Sequence, residues 1–377
     1  MQIATVESLL LNGAHFVRIT TDQGIVGLGQ SACWAYPAAV DAVVQTFRGY
    51  LTGKDPRQIE RHWQHLYRMG PFRGSVLSGA ISAVDIALWD IKGQIHQAPI
   101  WDLLGGKYRD RIRLHLLMGG RTPEELATNA RSAAEEGFTA IKFDPIPEGF
   151  GDMTQDALVR AVVANVAAAR EAVKKDVDII LELHRKLTPL QAPPVIEAVA
   201  QFNPLFVEDP VQIDSIVSQA EIARRVTQPI ANGERMHTIW EFREMLVHGG
   251  SQYVRPDVGL AGGLTHVRKI AAIAESFHSA VVTHNFLGPV LTAAAVHLDT
   301  AIPNFVVQEY ARTDESDKWR GFSGVLQRQG GYLLPPELPG LGLHLLDTTG
   351  TEPLGPLGNR PQWDIPLRSD GSVVYAV

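Results

Sequence analysis

Three glutamates recur at equal intervals along this 377-residue chain: Glu182, Glu208 and Glu234, each 26 residues after the last (208 − 182 = 234 − 208 = 26). Each closes a short apolar run that reads as a buried strand, at 177–182, 205–208 and 229–234. An interval of that length fits one strand, one helix and two loops of a parallel barrel. Three carboxylates at successive strand ends converge on one place, where they repel and raise one another's pKa unless a cation sits between them. The spacing therefore predicts a divalent metal, and a metal predicts chemistry. The rhythm continues with Asp257, 23 residues after Glu234, His284 after 27 more, and Glu309 after another 25. His184 stands two residues after Glu182, the spacing that puts two side chains on one face of a strand.

The elements that must position these residues are legible from about Arg113 onward. Strand-like runs at 113–118, 139–143, 177–182, 205–208, 229–233, 251–254, 280–283 and 304–308 alternate with amphipathic or alanine-rich helices such as Leu158 to Lys174 and Leu264 to Ser276. Strand–helix alternation over roughly 200 residues argues for a parallel α/β barrel. An open doubly wound sheet would place its site at one switch point, whereas here acidic residues recur at successive strand ends. Before this region the grammar differs. Residues 14–21 and 25–29 read as strands joined by Asp22-Gln23-Gly24, a hairpin signal, and a helix is expected from about Ser78, its N-cap, to Gln97. The expected class is α/β: a (β/α)7β barrel over 113–344, with an α+β capping domain over 1–112 completed by the C-terminal segment 345–377. Residues 330–360 read as irregular chain rich in Pro and Gly, and 366–376 as a terminal strand returning to the cap.

Composition sets bounds on function. Hydrophobic residues make up 45% and charged residues 20%, ordinary for a globular protein. The single cysteine, Cys33, excludes an intramolecular disulfide and a thiolate zinc cluster. With no evident signal peptide and no apolar run of about 18 residues, the expectation is a cytoplasmic protein without a membrane partner. A formal net charge of −7 with dispersed Lys and Arg argues against nucleic acid. An acidic chain can still take a small anion where a metal and a few basic side chains focus positive field.

The ordered motifs carry a resemblance. Ser82-Ala83-Val84-Asp85-Ile86-Ala87-Leu88-Trp89-Asp90 and Leu103-Leu104-Gly105-Gly106 come first. They are followed at barrel spacing by Lys142-Phe143-Asp144-Pro145, Glu182-Leu183-His184, Val207-Glu208-Asp209-Pro210, Gly233-Glu234-Arg235, Pro256-Asp257, Gly262-Gly263, Thr283-His284-Asn285 and Gln308-Glu309. Together they resemble the mandelate racemase subgroup of the enolase superfamily, and within it the galactonate- and gluconate-type sugar-acid dehydratases. The resemblance implies magnesium held by Glu182, Glu208 and Glu234, whose all-oxygen donors suit a hard cation. It implies an Asp257–His284 dyad in which His284 removes the C2 proton of a sugar acid, and Glu309 as an acid that hydrogen-bonds the substrate carboxylate. His184 falls where the dehydratases carry a second acid/base, here to protonate the departing 3-hydroxyl and yield a 2-keto-3-deoxy acid. A homo-oligomer acting on a small acid sugar is the implied state. An epimerase, racemase or cycloisomerase using the same enolate is the alternative, with a non-catalytic regulatory paralogue behind it.

Three departures stand out. The galactonate branch often has Asp where Glu182 stands. The second lysine of the racemases' Lys-X-Lys pair is missing from Lys142-Phe143-Asp144, which favours dehydration. Arg255 stands where many relatives have Gln, with no role assigned. Lys142 and Asp144 are candidate substrate contacts, Asp144 evenly balanced against a loop role. Trp34, Tyr36 and Arg73 lie in loops that could act as lids over the mouth.

Overall fold

The computed structural model describes residues 1–173, 175–346 and 367–374. An antiparallel sheet opens the chain: β1 (Ile3–Leu11), β2 (Ala14–Thr21) and β3 (Val26–Ser31) in that order. Gly24, with φ of 78°, turns β2 into β3 as Asp22-Gln23-Gly24 suggested. The tighter β1–β2 turn falls on Asn12-Gly13, both in the left-handed region, a hairpin pair of the kind such turns demand. Helices α1 (Pro37–Leu51), α2 (Ile59–Arg68) and α3 (Ser75–His96) follow, then the short α4 (Ile100–Leu103). Gly27 and Gly29 let β3 lie directly on α3, since a Cβ on either would fall within 2.1 Å of the Ala87 or Ala83 carbonyl oxygen.

Helix α3 starts earlier than expected, capped by Gly74. The Ser78 hydroxyl is engaged elsewhere, donating to the Leu260 carbonyl at 2.7 Å. It belongs to a seam between α3 and the barrel. There Ser82 Oγ accepts from the Gly262 and Gly263 amides, Asp85 from the Thr265 amide, and Trp89 Nε1 donates to Thr265 Oγ1.

Among the described residues eight parallel strands follow: β4 (Ile112–Leu117), β5 (Ala140–Phe143), β6 (Asp178–Glu182), β7 (Phe206–Glu208), β8 (Ile230–Asn232), β9 (Tyr253–Val254), β10 (Ala280–Val281) and β11 (Gln308–Tyr310). Each pairs with the next from β4 to β10, a Val281–Phe305 bridge leads to the last, and β11 pairs with β4, so the sheet closes. Helices α5 (Pro123–Glu135), α6 (Gln155–Ala172), α7 (Ala192–Val199), α8 (Ile216–Arg225), α9 (Ile239–Val247), α10 (Gly263–Ser276) and α11 (Pro289–Ala301) occupy the connections. The expected α6 reached to Lys174, which lies outside the described residues. Where an eighth helix would stand, 3-10 turns at Arg312–Glu315 and Asp317–Trp319 bring Trp319 onto Phe16 of the cap, ring centroids 6.1 Å apart.

The C-terminal segment divides. Gly340 and Leu341 return to the cap, bonding with Ala98, Ile100 and Asp90. Residues 367–374 do not add a strand to the cap. Among the described residues their only pairing is a Leu367–Val373 bridge, and they hold the barrel loop after β5. Arg368 Nε donates to the Gly151 carbonyl, the Ser369 amide and hydroxyl bond Asp152, and Val374 packs on Gly151. Val374 is 3% exposed and belongs to the barrel's apolar core, so burial of this side chain selects the barrel as its docking surface. The parts of the expected completion that fall on 347–366 and 375–377 lie outside the described residues.

Candidate active site

Glu182 and Glu208 are the last residues of β6 and β7 and lie side by side in register. Glu234 follows β8 after Gly233, whose φ of 131° lies in the region that favours glycine and where a Cβ would meet the Phe242 ring at 2.6 Å. The glycine thus allows the bend that carries Glu234 towards its neighbours. One carboxylate oxygen from each of the three glutamates lies within 4.8 Å of the others, and all three residues are buried. The 26-residue period therefore brings together the residues it singled out.

Basic side chains interleave with this cluster. Lys142 Nζ, from β5, lies 3.0 Å from Glu182, 3.0 Å from Glu208 and 3.2 Å from Glu309. Arg255 is fully buried and ion-paired to Glu208 and Glu309. Its NH1 lies 3.5 Å from His115, which burial and then Arg255 and Lys142 keep neutral. Arg185 pairs with Asp209 and Glu234, and Arg235 lies 3.2 Å from Glu234. Burial and the neighbouring Glu182 push the Glu208 carboxyl well above its ordinary range, despite Arg255 beside it. Burial also opposes ionisation of Glu182 and Glu234, but it is outweighed by Lys142 and His184 at Glu182, and by Arg185 and His284 at Glu234.

The donor set fits a divalent cation. The ion-paired group contains six carboxylates (Glu182, Glu208, Asp209, Glu234, Asp257, Glu309) and four cationic side chains (Lys142, Arg185, Arg235, Arg255). Counted formally, with every carboxylate ionised and the histidine neutral, two negative charges are left over. Glu208 Oε1 is buried without a hydrogen bond of good geometry, although the Arg255 guanidinium lies beside it. Oxygen-only donors with residual charge suit a hard ion that keeps positions open for water and substrate.

A cleft of about 50 Å³ lies over this cluster, lined by Leu117, Lys142, Glu182, His184, Glu234, Arg235, His284, Phe286 and Glu309. His284 Nδ1 donates to Asp257 at 2.6 Å, and its Nε2 lies 3.5 Å from Glu234. Burial disfavours its charged form, but Glu234, Glu309 and Asp257 together raise its pKa. Asp257 also accepts from the Gly259 amide at 2.7 Å, and the Gly259 carbonyl accepts from Ala32 of the cap. His184 lines the cleft, but not through strand alternation. The strand β6 ends at Glu182, and His184 and Arg185 take left-handed φ of 48° and 60°. The turn brings the His184 amide within 2.8 Å of Glu182 Oε1. His184 Nδ1 donates to Asp144 at 2.7 Å.

The expected lid residues separate. Trp34 stands beside the cleft, with Phe286 6.4 Å away and the Arg235 guanidinium 5.2 Å from its ring. Tyr36 is 55% exposed and does not line the cleft. Arg73 stacks on Tyr67 at 4.4 Å and donates to the Gly70 and Phe72 carbonyls, outside the cleft lining. Sequence reasoning missed Arg185, Arg235 and Phe286. Each follows a singled-out residue by one to three positions, and adjacency to a strand end was the available signal.

A closed parallel barrel, a capping domain bonded to one side of it and a carboxylate cluster at its strand ends define a capped barrel enzyme of the enolase type. Comparison with known proteins agrees. Residues 4–105 match the mandelate racemase / muconate lactonizing enzyme N-terminal domain, and residues 125–349 match the enolase C-terminal domain-like family. The chain belongs to the mandelate racemase/muconate lactonizing enzyme family of the enolase superfamily. It is 36% identical over 367 residues to a D-galactonate dehydratase from Ralstonia nicotianae, covering 95% of each chain. Among solved structures, a provisional dehydratase from Salmonella typhimurium is 31% identical with a TM-score of 0.88, covering 93% of this chain and 97% of that one. A provisional galactarate dehydratase from Agrobacterium radiobacter, solved with sodium and L-malate bound, is 27% identical with a TM-score of 0.91 and covers 100% of both chains.

Proposed function

We propose that this protein is a magnesium-dependent sugar-acid dehydratase, with D-galactonate the first substrate to test because of the Ralstonia relative. The observation that carries the reading is that His284 and His184 both line one small cleft beside Glu182 and Glu234, each giving Nδ1 to an aspartate. With Nδ1 held by the aspartate, Nε2 is the working nitrogen of each ring: bare in His284 as the base, and carrying a proton in His184 as the acid.

Magnesium held by Glu182, Glu208 and Glu234 would supply positive charge where the substrate carboxylate gains a second negative charge. His284 Nε2 takes the C2 proton, and Asp257 stabilises the imidazolium that results. His184 gives a proton to the 3-hydroxyl as the C3–O bond breaks, so that the hydroxyl leaves as water. The C2 enol then tautomerises to the 2-keto-3-deoxy acid as C3 gains a proton. Glu309 lines the cleft as the expected hydrogen-bonding partner of the substrate carboxylate. Burial favours a proton on it, while Lys142 and Arg255 beside it oppose one. Lys142, which lines the same cleft, offers a further positive charge to that carboxylate.

The test is turnover of D-galactonate and a panel of aldonates and sugar diacids with magnesium, read as 2-keto acid formation. Product is expected for at least one acid sugar and is expected to vanish with a chelator. Deuterium exchange at C2 with no loss of water from any of them would make the protein an epimerase or racemase instead.

A further inference from the structure

Asp144 follows the end of β5, and its chemistry is open from sequence between a substrate contact and a loop role. Its oxygens are already engaged. Oδ2 accepts from His184 Nδ1 at 2.7 Å and from Lys186 Nζ at 2.5 Å, while Oδ1 accepts from the Ile146 amide at 2.9 Å. The side chain is absent from the cleft lining that His184 joins. We infer that Asp144, clamped by Lys186, is a positioning residue that fixes the ring of His184, forming a second Asp–His pair across the cleft from Asp257–His284. This rests on the reading of His184 as the acid of dehydration and supplies the device that aims it.

The physical need is specific to this histidine. His184 sits on a left-handed turn past its strand, with its side chain 30% exposed, so packing alone does not fix the ring. A hydrogen bond from Nδ1 to a carboxylate sets both tautomer and orientation, leaving Nε2 to the cleft. The carboxylate is itself fixed. Lys186 holds it from the same turn, and the Lys186 ammonium lies 5.9 Å from the Phe150 ring centroid. Phe150 belongs to the loop pinned by Arg368, Ser369 and Val374. A chain of contacts therefore runs from the C-terminal residues to the imidazole.

The experiment uses the full-length protein with magnesium and the sugar acid it turns over, in D2O. Two quantities are followed together: deuterium entering C2 of recovered substrate, and 2-keto acid formed. His184→Asn is expected to lose water elimination while C2 exchange continues; if exchange stops as well, the reading of His184 as the acid fails. Asp144→Asn is expected to show the same split, with kcat for water loss down roughly 10²-fold, KM and exchange changed less than about threefold, and partial recovery in Asp144→Glu. Should Asp144→Asn not fold, Lys186→Met carries the test, with the same split at about tenfold. Exchange and water loss falling together with a raised KM would make Asp144 a substrate contact. Unchanged kinetics in Asp144→Asn or Lys186→Met, with His184→Asn showing the split, would overturn the inference alone.

Discussion

His284 and His184 face one cleft and bond their aspartates at nearly equal distances, 2.6 and 2.7 Å, yet their surroundings differ. The His284 side chain is 6% exposed and Asp257 1%, while His184 is 30% exposed and Asp144 22%. The first pair lies on the side of the barrel that the capping domain covers, and Asp257 reaches the cap through Gly259 and Ala32. The second lies on the side held by the C-terminal residues 367–374. For the proposed base, His284, a low-dielectric enclosure makes its ion pair count for more. The proposed acid, His184, is the more exposed of the two. One barrel provides both environments because its two sides are covered by different parts of the chain.

The sharpest way to break this comparison is at the proposed base. His284→Asn is expected to abolish C2 exchange and water loss alike, each by at least about 10²–10⁴-fold, measured by NMR in D2O. Loss of elimination alone would exchange the roles of the two histidines. Next come the two aspartates, compared by thermal unfolding. Asp257→Ala leaves a buried imidazole and the Gly259 amide without their acceptor and is expected to destabilise the fold by about 1–3 kcal/mol. Asp144→Ala, nearer solvent, is expected to lower the melting temperature by less than half as much. Equal shifts would remove the distinction drawn from burial. The smallest expected effect is at Arg73, stacked on Tyr67 away from the cleft. Arg73→Ala is expected to leave KM within about twofold and to lower stability by about 0.5–1 kcal/mol; a KM raised tenfold would return Arg73 to a lid over the substrate.

Much of this arrangement is legible in the sequence because a barrel converts one-dimensional rhythm into a ring. Glu182, Glu208 and Glu234 meet because equal spacing carries each to the same end of a neighbouring strand. The same logic finds Asp257, His284 and Glu309. It fails where the chain leaves the strands. Nothing in Glu182-Leu183-His184 announces that the strand stops at Glu182 and that His184 turns left-handed. Arg255, without a role in the sequence, proves to be the counter-ion beneath Glu208 and Glu309, a contact between distant strands that spacing alone does not encode. The docking of 367–374 on the loop of Gly151 and Asp152 is likewise a matter of surface complementarity, and a short run near a terminus carries no periodic signal for its destination.

The basic residues threaded among the glutamates bear on the order in which this protein comes to be. A nascent barrel that brought six carboxylates together with nothing between them would resist its own closure. With Lys142, Arg185, Arg235 and Arg255 built in, most of that repulsion is answered by the polypeptide itself. The scaffold can therefore close without waiting for a cation, and the order of folding and metal uptake is not forced by the carboxylates.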